Sequence, residues 1–172
     1  MKNSKSFNAG DETDKQLVIA ISHQFLRAES AFARFINYMS SYPPLDKVLE
    51  LEVNRIFIPE RQWQVDVYNA YADFIHHLYE YMIGCFKRGV NSLDDIDHKR
   101  SDILIVREAE KYRNQCLVRI RENKDKEYGL NDISYYIDPV PEDFGMAFRN
   151  ARNMNAHADI RRVNYRKEKQ VK

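Results

Sequence analysis

Apolar residues recur at steps of three and four along most of this chain, and only five glycines and five prolines interrupt its 172 residues. That period leaves one class of regular structure, the α-helix with one buried face. Leu17, Ile21, Phe25, Ala28, Phe32, Phe35 and Met39 form the first stripe. The spacing predicts a helix from about Asp14 to Met39, opened by Thr13 and Gln16 in capping-box spacing. Pro43 and Pro44 in "SYPPLD" end it, since consecutive prolines cannot continue a helix. Leu45 to Ile58 reads as a shorter helix, and Pro59 opens a long one with the stripe Trp63, Val67, Ala70, Phe74, Leu78, Tyr81 and Cys85. "KRG", Lys87 to Gly89, is its stop signal. A fourth helix is expected from about Ile96 to Glu122, on Ile103, Val106, Ala109, Arg113, Cys116, Leu117 and Ile120. The stretch from Asn123 to Asp143 reads as a loop with a short extended piece at Ile133 to Ile137. The last helix starts near Pro141, with Phe144, Ala147, Phe148, Ala151, Met154 and Ala158 as its apolar face. The expected fold class is all-α, an antiparallel bundle of about five helices with short connections.

The length suits one domain with a real core. A flexible N-terminal segment is expected over 1–12, a single helical domain over 13–165 and a basic tail over 166–172. No apolar run approaches a membrane span, and the start lacks the apolar core of a signal peptide, so the expectation is a cytoplasmic protein with no membrane contact. Cys85 and Cys116 lie within helical patterns, without metal-ligand spacing, and read as small core residues. The net charge of +1 is uneven: Met146 to Lys172 carries a local +6 against −5 for the remainder. A basic segment suits a polyanionic ligand such as RNA or a nucleotide, and it equally suits a solvated tail.

Within that segment, "RNMNAH", Arg152 to His157, concentrates polar groups on a helix that needs an apolar stripe. At about 100° per residue, Arg149, Asn153 and His157 stack along one stripe opposite Phe144, Phe148 and Ala151. Arg152 lies to the other side with a side chain long enough to curl toward the stripe, and Asn155 faces the core side. Solvent faces favour Glu, Lys and Gln, whereas Asn150, Asn153 and Asn155 weaken a helix, so a compensating contact is expected. A second copy of the same helix would supply it, bringing two histidines into one cleft around a two-fold axis. Histidine can take and give a proton near neutral pH, and arginine presents a fixed fork of donors to phosphate oxygens. The set suits RNA transesterification, in which a 2′-hydroxyl attacks the adjacent phosphorus. His157 would act as general acid or base. Arg152, with Arg149 behind it, would stabilise charge on the phosphoryl oxygens, and Asn153 would position phosphate or imidazole.

Arg152, Asn153 and His157, an Arg-Asn-x3-His array near the end of a helical chain, resemble the signature of the HEPN superfamily. That signature is an arginine, four to six residues and a histidine, often with a polar residue after the arginine. Arg149 does not match it, because seven residues separate it from His157. The resemblance implies a HEPN-like bundle and a metal-independent endoribonuclease that acts as a homodimer through the last helix. Such members belong to toxin-antitoxin, abortive-infection or other anti-phage systems, with an antitoxin protein as a possible partner. The catalytic set implied is Arg152, Asn153 and His157, with no metal or cofactor; Arg149, Arg161 and Arg162, cations of the same basic segment, are expected to bind substrate. Some members carry, two after the histidine, a tyrosine modified by a partner nucleotidyltransferase; here that position is Asp159.

Two other readings compete. The same polar face would serve a non-catalytic module that binds a nucleotide or a partner. His76 and His77, at helical spacing from Glu80, are reminiscent of metal ligands in bundles, but a matching pair on another helix is missing. His23 and His98 read as structural or solvent-facing. The tyrosines of "VYNAYADFIHHLYEYM" and "DISYYID" offer either packing or stacking surfaces for unpaired bases.

Overall fold

The computed structural model describes residues 7–41 and 58–156. His157, Arg161, Arg162 and the tail over 166–172 lie outside the described residues. So does the short helix expected from Leu45, apart from Ile58, which begins the next element. Four α-helices are found among the described residues: α1 Glu12–Ser40, α2 Ile58–Gly89, α3 His98–Arg121 and α4 Phe144–Ala156. The piece expected to be extended is a 3-10 turn, Ile133–Tyr136, capped by the Asp132 side chain on the Ser134 N–H. The fold is all-α.

α1 starts two residues before its expected start. Asp11, not Thr13, is the cap, its carboxylate accepting from the Asp14 N–H at 2.8 Å. Asp14 in turn accepts from the Gly10 N–H at 2.7 Å and from Arg88 Nε at 2.8 Å, so one buried carboxylate closes the start of α1 onto the end of α2. Phe7, within the 1–12 segment, is buried. Asn91 and Asn123 stop α2 and α3 in the left-handed region, at φ 53° and 58°. In each, the next residue's N–H bonds back five positions, Ser92 to Lys87 and Lys124 to Arg119, which satisfies a carbonyl the helix leaves open.

α1 and α2, 29 and 32 residues long, form an antiparallel pair. Phe25 meets Tyr81, Phe32 meets Phe74 and Phe35 meets Tyr71, with ring centroids 5.1 to 5.8 Å apart, so partners rise on one helix as they fall on the other. Each such ring pair contributes about 0.5 to 1.5 kcal/mol beyond its buried area. The centre of the contact is small: Ala28, Ala31 and Ala70 are buried, and a Cβ on Gly84 would stand 2.8 Å from Ile21. Close approach of the backbones pushes the larger side chains to the flanks. Phe25, Phe32 and Met39 therefore stay about half exposed, although the stripe places them on the buried face.

α2 is apolar on two faces. One meets α1; the other, through Ile75, meets Ile105 of α3 and Phe148 of α4, with Leu78, Tyr79, Met82 and Phe86 around them. On α3 the buried line is Ser101, Ile105 and Cys116, and Ile103, expected in the stripe, is exposed. Glu110 and Arg113 of α3 hold the following loop: Arg113 Nη1 donates to the Tyr136 carbonyl at 2.7 Å, and Glu110 accepts from the Val140 N–H at 2.9 Å. Among the described residues, no helix is long and apolar enough to cross a membrane.

His77 on α2 donates from Nδ1 to Gln24 Oε1 of α1 at 2.8 Å. Burial, then the neighbouring charge of His76, holds its pKa below the ordinary 6.5. As pH falls through 6.5 the unfolded chain therefore binds the proton first, and stability declines with acidification. Between pH 7 and 5 the melting temperature is expected to fall more steeply in the wild type than in His77→Gln. Parallel slopes would remove His77 as the cause.

Candidate functional site

α4 is seated in the groove between α2 and α3, with Phe148 and Ala151 of its apolar stripe on the core formed with Ile75 and Ile105, and Phe144 left exposed. Gly145, Phe148, Arg149 and Arg152 turn inward, while Phe144, Met146, Ala147 and Asn150 are exposed. The two arginines of the motif helix thus lie against its neighbours and not on a solvent face. Two partners and one glycine set this orientation, and each is legible in the contacts.

Arg149 forms a bidentate pair with Asp102 of α3, Nε to Oδ1 at 2.9 Å and Nη2 to Oδ2 at 3.0 Å. The Asp102 hydrogen bonds push the guanidinium further into its charged range. Arg152 turns instead to α2, where Nη2 donates to Glu80 Oε1 at 2.5 Å, and its Nη1 donates to Asn153 Oδ1 at 3.0 Å. The guanidinium also lies 5.6 Å from the centroid of the Tyr79 ring. Its Nε is buried with no hydrogen-bond partner among the described residues. Both side chains of this pair keep partial access to solvent, 26% for Arg152 and 31% for Glu80. The structure brings Arg152 and Asn153 together as one unit and ties Arg149 to a different helix.

Glu80 entered the sequence reading only through its spacing from His76 and His77, and its part in the site was missed. Its carboxylate holds Arg152, His77 is bonded to Gln24, and His76 meets His77 ring edge to face at 5.2 Å. Among the described residues no group of three His, Cys, Asp or Glu side chains is placed to hold a metal ion. Asp102 gave no sequence signal as a site residue, and Tyr79 was among the tyrosines read as packing or stacking surfaces.

Chemically, the pair of Glu80 and Arg152 presents a guanidinium of fixed plane with Asn153 on its edge. Arginine held this way can still turn part of its fork to a phosphate, because a partly exposed ion pair is weak enough to share. Glu80→Gln keeps the hydrogen bond and removes the charge, and is expected to destabilise the protein by about 1 to 2 kcal/mol, less than a fully buried pair would. Urea unfolding of the two proteins measures this, and equal midpoints would show that the pair does not support the seat of α4.

No family model, curated protein or solved structure matches this chain.

Proposed function

We propose that this protein is a metal-independent endoribonuclease of a toxin-antitoxin or anti-phage system, HEPN-like in its motif, acting in the cytoplasm as a homodimer. The observation that carries the reading is the unit of Arg152, Asn153 and Glu80, an arginine fork steadied at the helix seam, with Arg152 five positions before His157. In the reaction the 2′-hydroxyl of RNA attacks the neighbouring phosphorus, the bond to the 5′-oxygen breaks, and a 2′,3′-cyclic phosphate and a 5′-hydroxyl result. His157 moves the proton, Arg152 stabilises charge on the phosphoryl oxygens, and Asn153 holds the guanidinium or the phosphate. Arg161 and Arg162 add charge for the RNA backbone. Arg149 supports the site by fixing α4 on α3. The exposed line Met146, Ala147 and Asn150 on α4 is the surface offered to a second copy.

A second reading, a non-catalytic binding module, draws on the same ion pair, since Glu80 already occupies part of the Arg152 fork. Induced expression separates the two. Wild type is expected to arrest growth and leave total RNA with new cyclic-phosphate ends, and His157→Ala to do neither. Growth and intact RNA with both proteins favour the binding module. Sedimentation tests the homodimer, with Met146→Glu expected to shift it toward monomer; a wild-type monomer at micromolar concentration contradicts a two-copy site.

A further inference from the structure

A cleft of about 590 Å³ opens between the C-terminal half of α3 and the turn after it, far from the motif helix along α3. Its cations are Lys111, Arg119 and Lys124, and Tyr128 forms one wall. Two of these cations are spoken for by exposed carboxylates, Lys111 by Glu108 at 2.9 Å and Lys124 by Glu122 at 2.8 Å. Such pairs are weak and exchange readily for another anion. Arg119 differs. Its guanidinium carbon stands 4.0 Å above the centre of the Tyr128 ring, and among the described residues no carboxylate pairs with it.

Stacking on tyrosine fixes the plane of the guanidinium while leaving its N–H edge unspent. The loop that presents Tyr128 is itself pinned, because the Lys124 N–H bonds to the Arg119 carbonyl at 2.9 Å and the Tyr128 N–H to the Lys124 carbonyl at 3.2 Å. The site is therefore built before any ligand arrives. A flat cation on an aromatic ring, flanked by two lysines and the amide of Gln115, suits a ligand with both an anionic oxygen and a flat face. A nucleotide has both, and unpaired bases stack on aromatic rings and on guanidinium planes alike. An acidic peptide would use the charges and leave the stacking surface idle.

We propose that this cleft is a second binding site for single-stranded RNA, gripping a nucleotide away from the point of cleavage. The identity of the ligand rests on the ribonuclease reading. Arg119 lies about 25 Å along α3 from Asp102, at about 1.5 Å per residue, and Asp102 holds Arg149 one turn before Arg152. A strand held at both points must span at least that length of α3. The protein then prefers an extended strand over a short fragment.

The test is fluorescence anisotropy with a labelled single strand of about twelve nucleotides, carried out on the full chain with His157→Ala so that the RNA stays whole. Arg119→Ala is expected to weaken binding about tenfold and to lower the slope of log affinity against log salt by about 0.7, one phosphate contact. Tyr128→Leu, which removes the stack and keeps every charge, is expected to weaken it several-fold and stands as the second variant should Arg119→Ala fold poorly. Lys126→Ala, on the same turn outside the cleft lining, is expected to change affinity by less than about twofold. Unchanged affinity in both cleft variants overturns the proposal. An equal loss from Lys126→Ala also overturns it, as diffuse attraction, and so does displacement of the RNA by a polyglutamate of matched charge. Binding is read here without cleavage. A protein that grips RNA through Arg119 and cuts nothing leaves this site standing and removes the ribonuclease reading; one that cuts RNA with Arg119→Ala affinity unchanged does the reverse.

Discussion

His157→Ala is expected to lower RNA cleavage by about 10²- to 10⁴-fold, the range for losing a positioned acid or base. Arg152→Ala is expected to cost about 10²- to 10³-fold, as removal of one donor to a developing oxyanion does. The two differ in a second measurement. Arg152→Ala also strands the partly buried Glu80 carboxylate and empties the space beside Tyr79, so its unfolding midpoint should fall. Adding Glu80→Ala to Arg152→Ala should recover part of the stability and none of the cleavage. Stability and cleavage returning together would mean that the pair only holds α4 in its seat. No loss of cleavage in Arg152→Ala would remove the phosphate role outright.

Gly145→Ala carries the second large effect, and here the sign is informative. In an exposed helix this exchange stabilises by about 1 kcal/mol. At position 145 an added Cβ would stand 2.1 Å from the Asp102 carbonyl oxygen, with the carbonyl carbon and Cα of Asp102 within 2.7 Å. These are backbone atoms inside α3 and cannot turn aside as a side chain does. The variant is expected to lose at least about 2 kcal/mol, or roughly 4 to 8 °C of melting temperature for a chain of this size. Asp102 also holds Arg149, one turn along α4, so the clash breaks a bidentate pair at the same time. A rise in melting temperature would show that α4 does not approach α3 this closely.

Which parts of this architecture were legible follows from where the information lies. Helix positions depend on local period and on stop residues, and the end of α2, both ends of α3 and the start of α4 fall within a few residues of the expected ones. Asp11 and Thr13 are both good caps, and the choice was made by Asp14, three positions after Asp11, reaching back to Gly10. The half-exposed Phe25 and Phe32 were not legible, because the small residues that draw α1 and α2 together act across the pair. The inward placement of Arg149 and Arg152 was least legible. The apolar stripe of α4 accounts for Phe148 and Ala151 on the core, but the partners of the two arginines, Asp102 and Glu80, lie 47 and 72 positions away in sequence. The motif residues Arg152 and Asn153 were readable as a pattern of types at a spacing; the carboxylate that steadies them was not. The 172-residue chain holds His157 at position 157, beyond the described residues, so its role rests on the motif and on the chemistry of imidazole.

The most direct measurement is incubation of purified wild type and His157→Ala with single-stranded RNA in excess EDTA, followed by mapping of the product ends. The account predicts cleavage by the wild type alone, with 2′,3′-cyclic phosphate on one fragment and 5′-hydroxyl on the other. Intact RNA with both proteins, or fragments that carry 5′-phosphate, would contradict it.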